Sequence, residues 1–563
     1  MVQIALSNMK VIIILVVLLI IVTIRGVFLE KRRRLMLFSE YKEEFGKQNR
    51  KSYTSGTGHR SAIIKRNDDC FIDDITWSDL NMEDIYERID ATKSAIGEEY
   101  LYYLLHRTEN RKCVEDFDKL VCYYLEHEDE RVNMQLALHD IGYLGKLSPY
   151  DYLDYLTSRE AKSPVFDIIC DLLFIPLIAL TVFKPLIGGV LLFVLLCFNI
   201  FKYFKDKKEL DGIIGTLSFL IRLISNANSY ANSDVNELFA EDIKYLQDNE
   251  VFLKKIKARG TYLAVSGKNV AGATSSSSPI ELVINYLNMV FHIDLIQYML
   301  LLKEINGKYE VFNDILMLFG KYDAAISVAS FRKSLNNGYC KPSFSEENTA
   351  KISVIEGYHP LIEKPVVNSI NSSNGILLTG SNASGKSTFL RCIAVNAILA
   401  QSIYTVCAKE YIAPMFKIYS SIALKDNLAD NESYFIVEIK SLKRIINAAG
   451  KDMPILCFVD EVLRGTNTVE RISASKVILE SLEPLNVICF AATHDGELAD
   501  LLDGKYTNYH FSETIENNDI SFDYKLREGK ATSRNALALL KIYGYPENIT
   551  TEAEKMARKL DIK

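Results

Sequence analysis

No C-x-x-C pair occurs in this chain. Its 10 cysteines stand singly, which excludes a zinc ribbon by ligand spacing. Cys197 lies in an apolar run and Cys457 in a β-rich one, as small hydrophobes of a reducing compartment do. A basic excess is also missing. Lys and Arg number 65 against 72 Asp and Glu, a net charge of −7. Dedicated nucleic-acid binders carry a basic surplus or a basic face, so DNA as the dominant partner is disfavoured and only a local patch stays open. With 12 prolines and 27 glycines in 563 residues, neither a fibre nor a low-complexity chain fits. No repeat of 20–50 residues is visible. What is present, 48% hydrophobic and 24% charged residues, is globular, and the length calls for two to four domains.

The first strong feature is apolar. Residues 11–24, VIIILVVLLIIVTI, lie in a segment (9–29) that reaches the roughly 20 residues needed to cross a bilayer. A cleaved signal peptide is the alternative. However, no A-x-A site follows, and Lys31-Arg32-Arg33-Arg34 comes next, which predicts an uncleaved anchor with its N-terminus outside. Between Arg25 and Arg66 stand 12 Lys/Arg against four Glu, a composition suited to anionic lipid headgroups or, alternatively, to a DNA-binding arm. A second apolar stretch, 165–204, is split by Lys184-Pro185 into halves 165–183 and 186–201, the second followed by Lys202, Lys205, Lys207 and Lys208. It predicts a transmembrane helical hairpin with both ends cytoplasmic. A buried helical pair of a soluble core is the competing reading. Asp167 and Asp171 would sit at the membrane interface or mark an intramembrane functional site. This topology leaves 30–164 and 203–563 on the cytosolic side.

Residues 71–160 and 209–335 carry helical periodicity, interrupted by the loop-like SGKNVAGATSSSSP at 266–279. After about residue 350, β-rich runs (352–355, 375–379, 455–459, 487–492) alternate with helical ones, an α/β pattern.

Three motifs in that α/β part carry chemistry. Gly380, Ser381, Asn382, Ala383, Ser384, Gly385, Lys386, Ser387 and Thr388 fit the P-loop pattern, with an apolar strand leading in and a helix leading out. Glycines there let backbone N–H groups face phosphates at a helix N-terminus. Lys386 then reaches the β- and γ-phosphates, and Ser387 ligates Mg²⁺. The run 455–459 ends in Asp460 and Glu461, which predicts Asp460 in the Mg²⁺ shell and Glu461 activating the attacking water. The run 487–492 leads to Thr493-His494, within reach of a γ-phosphate.

The segments TGSNASGKSTFLR, FVDEVLRGTNTVER and AATHDGELAD resemble the ATPase domain of the MutS family, as does ADNESYFIVEI at 429–439. Gly357-Tyr358-His359-Pro360 resembles the family's G-R-H-P strand, with Tyr for Arg, and YKLREGKATS at 524–533 its closing strand and loop. The resemblance implies an α/β, ABC-like P-loop ATPase binding ATP and Mg²⁺, and a homodimer in which Ser433 reaches the partner's γ-phosphate. The family's Gly-Arg before that serine is Asn431-Glu432 here. Upstream, Ile89, Thr92, Gly97, Leu101 and Leu105 resemble the start of the family's helical core. Asp323-Ala324, Ser327 and Ala329 resemble the end of its lever helices. Mismatch recognition in the family uses an N-terminal domain with a Phe-x-Glu wedge. The four such tripeptides here, at Phe38, Phe239, Phe344 and Phe511, lie in no such domain, and the reading does not carry mismatch recognition over.

The expected organisation is a transmembrane anchor (1–30), a basic juxtamembrane linker (31–70), a helical core (71–164), the transmembrane hairpin (165–204) and the second part of the all-α lever domain (205–345). The ATPase domain (346–545) and a C-terminal helix (546–563) follow. The leading expectation is a membrane-anchored, dimeric ATP hydrolase that moves its helical arms, with lipid as a partner. A DNA-binding ATPase of repair or recombination type at the membrane is the alternative. An ABC transporter subunit would need an L-S-G-G-Q signature, which is missing here, and a non-catalytic scaffold would not need all of Lys386, Ser387, Asp460, Glu461 and His494.

Overall fold

The computed structural model describes residues 25, 26, 28–48, 72–108, 110–143, 148–158, 163–211, 214–232, 236–267, 279–380, 385–422, 434–450, 453–463, 466–516, 519–531, 540 and 542–561. The expected anchor over 1–24, Ser381–Ser384 of the P-loop and Ser433 fall outside them.

Up to Lys333 the described chain is helical. The residues of the basic segment nearest the core form no free linker. Residues 28–44 are helical, Tyr41 and Phe45 are buried, and Lys93 pairs with Glu44 at 2.8 Å. The centre of this part is the helix Tyr309–Lys333, packed along the helix Ala95–His106. Buried Asp323 accepts from the backbone N–H groups of Lys93 (3.0 Å) and Ser94 (2.9 Å), and Ser94 caps the Ala95–His106 helix. A Cβ on Gly97 would lie 2.2 Å from the Asp323 carboxylate. Ser327 donates to the Ile89 carbonyl at 2.8 Å and accepts from the Ala91 N–H at 2.8 Å. Gly97, Asp323 and Ser327, far apart in the sequence, therefore form one joint.

The apolar stretch is a hairpin. Its outward limb is broken into Val165–Leu172 and Phe174–Phe183, because Pro176 has no N–H and its ring clashes with the carbonyl four residues back, at Leu172. The return helix, Pro185–Asp211, runs beyond the expected end at 204. Both limbs are long and apolar enough to cross a membrane (Val165–Phe183, Pro185–Lys207), and only 17% of each lies buried in the protein. A core helix pair of a soluble protein would be covered. Ile175, Val182, Val190, Phe193 and Phe201 are all more than half exposed.

Beyond residue 340 the strands are β1 (Ser343–Phe344), β2 (Ile352–Gly357), β3 (Asn368–Ser372), β4 (Gly375–Thr379), β5 (Glu410–Ala413), β6 (Lys417–Ser421), β7 (Ile455–Asp460), β8 (Val487–Ala492), β9 (Tyr506–Glu516) and β10 (Asp519–Glu528). They form a four-stranded sheet, β1-β5-β2-β3, and a six-stranded one, β10-β9-β4-β8-β7-β6. From β9 to β6 the larger sheet is parallel, and helices cover it, so β4 and β8 are buried at every position.

The two parts are joined at a buried guanidinium. Arg332, in the last turn of Tyr309–Lys333, donates to Thr405 Oγ1 (2.8 Å) and to the carbonyls of Ile403 (3.1 Å) and Tyr404 (2.9 Å). It also pairs with Asp118 at 2.6 Å. These acceptors end the helix Lys386–Ile403, whose last carbonyls have no partner within the helix and carry the negative end of its dipole.

Candidate active site

Parallel register sets the geometry. Leu378 of β4 and Asp460 of β7 both pair with Ala492 of β8, so the residues that follow each strand emerge at one edge of the sheet. The chain leaves β4 through Gly380 (φ 133°) and Gly385 (φ 103°), conformations open to glycine, and the helix Lys386–Ile403 starts with its N–H groups facing that edge.

Lys386, Ser387, Asp460, Glu461 and His494 converge there. Ser387 Oγ donates to Asp460 Oδ2. Lys386 Nζ donates to the Gly380 carbonyl at 2.5 Å and lies 3.5 Å from His494 Nε2. His494 Nε2 is 2.8 Å from Glu461 Oε1. Burial pulls the Lys386 ammonium down to about 8, opposed by the negative charges of Asp460, Glu461 and Glu513. Burial pushes the Asp460 carboxyl up, against the Ser387 hydrogen bond. A polyanion and a hard cation would relieve both penalties. Ser387 and Asp460 supply adjacent hard oxygen donors, a set that suits Mg²⁺.

The supporting residues were less legible. Glu461 and Leu463 adopt left-handed conformations (φ 55° and 57°). The Glu461 N–H donates to the Ala492 carbonyl at 2.9 Å, and the Leu463 N–H to buried Glu438. Arg471 grips Asp495 through two hydrogen bonds of 2.8 and 2.7 Å, fixing the turn after His494. Each of these lies inside a quoted segment, but only the fold pairs them.

Beside the P-loop lies a cavity of about 370 Å³, lined by Gly385, Thr388, Phe389, His359, Phe511 and Tyr524 among others. Tyr524 occupies a break in the β9–β10 register between Phe522 and Leu526, with φ 52°. Asn368 bridges the break, donating to the Tyr524 carbonyl (3.0 Å) and accepting from the Leu526 N–H (2.8 Å). A Cβ on Gly385 would come 3.1 Å from the Tyr524 ring. Burial drops His359 to about 4, so its ring is neutral at pH 7. Its lining draws on three quoted segments, His359 of GYHP, Gly385 and Thr388 of the P-loop and Tyr524 of YKLREGKATS, but only the fold brings them to one cavity.

A P-loop, two carboxylates and a histidine at the C-terminal edge of a parallel sheet define a P-loop ATPase domain. Residues 376–561 match the family model for MutS domain V. The matched part corresponds to the ATPase domain of MutS-family proteins. The chain is 34% identical over 239 residues to the DNA mismatch repair protein MutS of Lactobacillus acidophilus, covering 40% of this chain and 28% of that protein. It is 32% identical over 241 residues to MutS of Bacillus velezensis, covering 40% and 27%. With the DNA mismatch repair protein MSH3 of Eremothecium gossypii it shares 28% over 392 residues, 64% of this chain and 37% of that one. That last match is too long for the ATPase part alone and takes in part of the helical region. The chain thus spans between about a quarter and two-fifths of these relatives' length.

Proposed function

We propose that the chain is a membrane-anchored ATPase that hydrolyses ATP at a site completed by a second copy, and moves its helical arms as it does so. The observation that carries this is the convergence of Lys386, Ser387, Asp460, Glu461 and His494 in a domain whose P-loop helix is clasped by Arg332 of the helix Tyr309–Lys333.

The triphosphate lies against the first N–H groups of the helix Lys386–Ile403, with the P-loop residues Gly380–Thr388 around it. The base enters the cavity between His359 and Tyr524. Lys386 exchanges its contact with the Gly380 carbonyl for the β- and γ-phosphates. Ser387 and Asp460 hold Mg²⁺, which when bound neutralises phosphate charge. Glu461 orients a water and takes its proton as the water oxygen attacks the γ-phosphorus and ADP leaves. His494 steadies the Glu461 carboxylate and faces the γ-phosphate. Ser433 approaches the γ-phosphate of the second copy. The exposed hairpin, together with the exposed Lys31–Arg34 quartet, supports insertion in a bilayer with the ATPase domain cytoplasmic.

The relatives' printed names favour a second reading, a DNA-binding ATPase of repair type held at the membrane. One experiment separates the two. The detergent-solubilised chain and a Glu461→Gln variant are assayed for mass and ATP turnover, with and without lipid and branched DNA. An ATP-induced dimer of the variant, with turnover only in the parent, supports the composite site. Stimulation by lipid favours the membrane reading and stimulation by DNA the repair reading. Absence of nucleotide binding refutes both.

A further inference from the structure

The membrane reading concerns two hairpin limbs, but the contacts at their base draw in a third helix. The return helix Pro185–Asp211 pairs with the helices Pro279–Phe291 and Ile293–Gly307 in a regular register. Tyr203 donates to Asp294 Oδ2 at 2.9 Å. One turn nearer the hairpin tip, Asn199 Nδ2 donates to the Val290 carbonyl at 3.0 Å. Across His292 (φ 47°), which separates the two helices, four residues on one side match four on the other with the same sign. Tyr286 and Leu287 stand one turn earlier on the helix that holds Val290. Phe291 meets Phe174 of the outward limb, ring centroids 5.4 Å apart, which confirms that the end of this helix lies beyond the hairpin's first turns.

Charges mark where the aqueous side ends. Lys202 pairs with Asp167 and, at 2.9 Å, with Asp206, and Lys207 lies 3.6 Å from Asp294. Tipward of this belt the outer surface is apolar. Val190, Phe193 and Val194 are 58%, 64% and 57% exposed, and on the third helix Tyr286 and Leu287 are 64% and 43% exposed. The polar groups at that depth face inward instead. His292 lies 3.2 Å from Asp171 and 3.1 Å from the Asn199 carbonyl, Tyr262 donates to Asn288 at 2.5 Å, and Asn199, Asn288 and His292 are fully buried. Apolar groups outward and polar groups inward is the arrangement a helix needs among acyl chains.

We infer that the end of the helix Pro279–Phe291, with Tyr286 and Leu287 on its outer face, is a third membrane-inserted element whose partner is lipid acyl chains. This rests on the membrane reading above and adds that the bilayer touches the lever itself, not only the hairpin inserted into it. The continuity of its exposed face with that of the hairpin at the same depth singles out lipid as the occupant.

Tryptophan quenching tests it, because the chain has one tryptophan, Trp77, buried and stacked on His106, whose signal serves as baseline. Full-length Phe193→Trp, Tyr286→Trp, Leu287→Trp and Tyr543→Trp are reconstituted in vesicles with and without dibrominated acyl chains. The expected result is at least twofold quenching of the added fluorescence at 193 and at 286 or 287, and none at Tyr543, which is 78% exposed in the ATPase part. Quenching at 193 alone overturns the inference and leaves the membrane reading standing. Quenching at none of these positions overturns both.

Discussion

The two polar clusters of this molecule are built in opposite ways. At the sheet edge His494 is 38% exposed at its side chain, and its neighbours Lys386, Asp460 and Glu461 meet where three strands end. At the hairpin base Asn199 and His292 are 0% exposed, and they join the two limbs to the lever. The first cluster can trade its internal contacts for those of a ligand, since Lys386 donates to a backbone carbonyl that phosphate oxygens can replace. The second would leave buried groups unpaired if it opened. One is an exchangeable site and the other a fastener.

The largest effect should come from disabling the first cluster. Glu461→Gln keeps the shape and removes the base. ATP turnover should fall about 10³-fold, or about 4 kcal/mol of barrier, with ATP affinity within about threefold of the parent. Steady-state turnover and equilibrium titration measure the two. Turnover within tenfold of the parent would show that Glu461 is not the base.

The next largest should come from the joint between the two parts. Arg332→Met leaves Asp118 without its buried guanidinium and the carbonyls of Ile403 and Tyr404 without donors. Losing one partner of a buried pair costs about 3–5 kcal/mol, seen as a lowered denaturation midpoint of the solubilised chain. An unchanged midpoint would mean that the lever and the P-loop helix are held together elsewhere.

The hairpin offers a smaller, local effect. Leu191 is 44% exposed, and if the proposed membrane insertion holds, Leu191→Arg places a charge toward acyl chains, at about 3 kcal/mol on the insertion scale. The membrane-bound fraction after carbonate extraction should drop. The same substitution at Tyr543 should leave it unchanged. Equal retention of both variants would argue for a protein partner over the hairpin.

The sheet edge was far more legible in the sequence than its surroundings. β4 and β8 fall where the apolar runs placed them, because fully buried parallel strands are unbroken in hydrophobicity. β3, β5 and β6 are short and mix polar residues with apolar ones, so no run announced them. The five catalytic candidates were visible because phosphate chemistry fixes residue type and spacing together. The Tyr524 wall was not, since it depends on a register break that only pairing with β9 creates. The hairpin was legible as apolar length, whereas its polar fastening depends on Asp171, Asn199 and His292, three single residues whose partnership no local pattern encodes.

The smallest effect separates the clusters by pH. Burial brings Lys386 to about 8 in the free protein, and the ammonium is the form that binds phosphate. Between pH 7 and pH 9 the free protein passes from about nine-tenths to about one-tenth charged at this residue. Bound phosphates hold the proton on, so binding at pH 9 takes up close to one proton and the Kd for ATP rises about tenfold. Titration calorimetry at pH 9 in two buffers of different ionisation enthalpy measures that uptake directly. Lys386→Met should bind weakly at both pH values with no uptake. If the parent's Kd does not change and no proton is taken up, Lys386 stays charged to pH 9. The carboxylates around it then outweigh its burial, and the sheet edge is as fully neutralised before ATP arrives as the base of the hairpin.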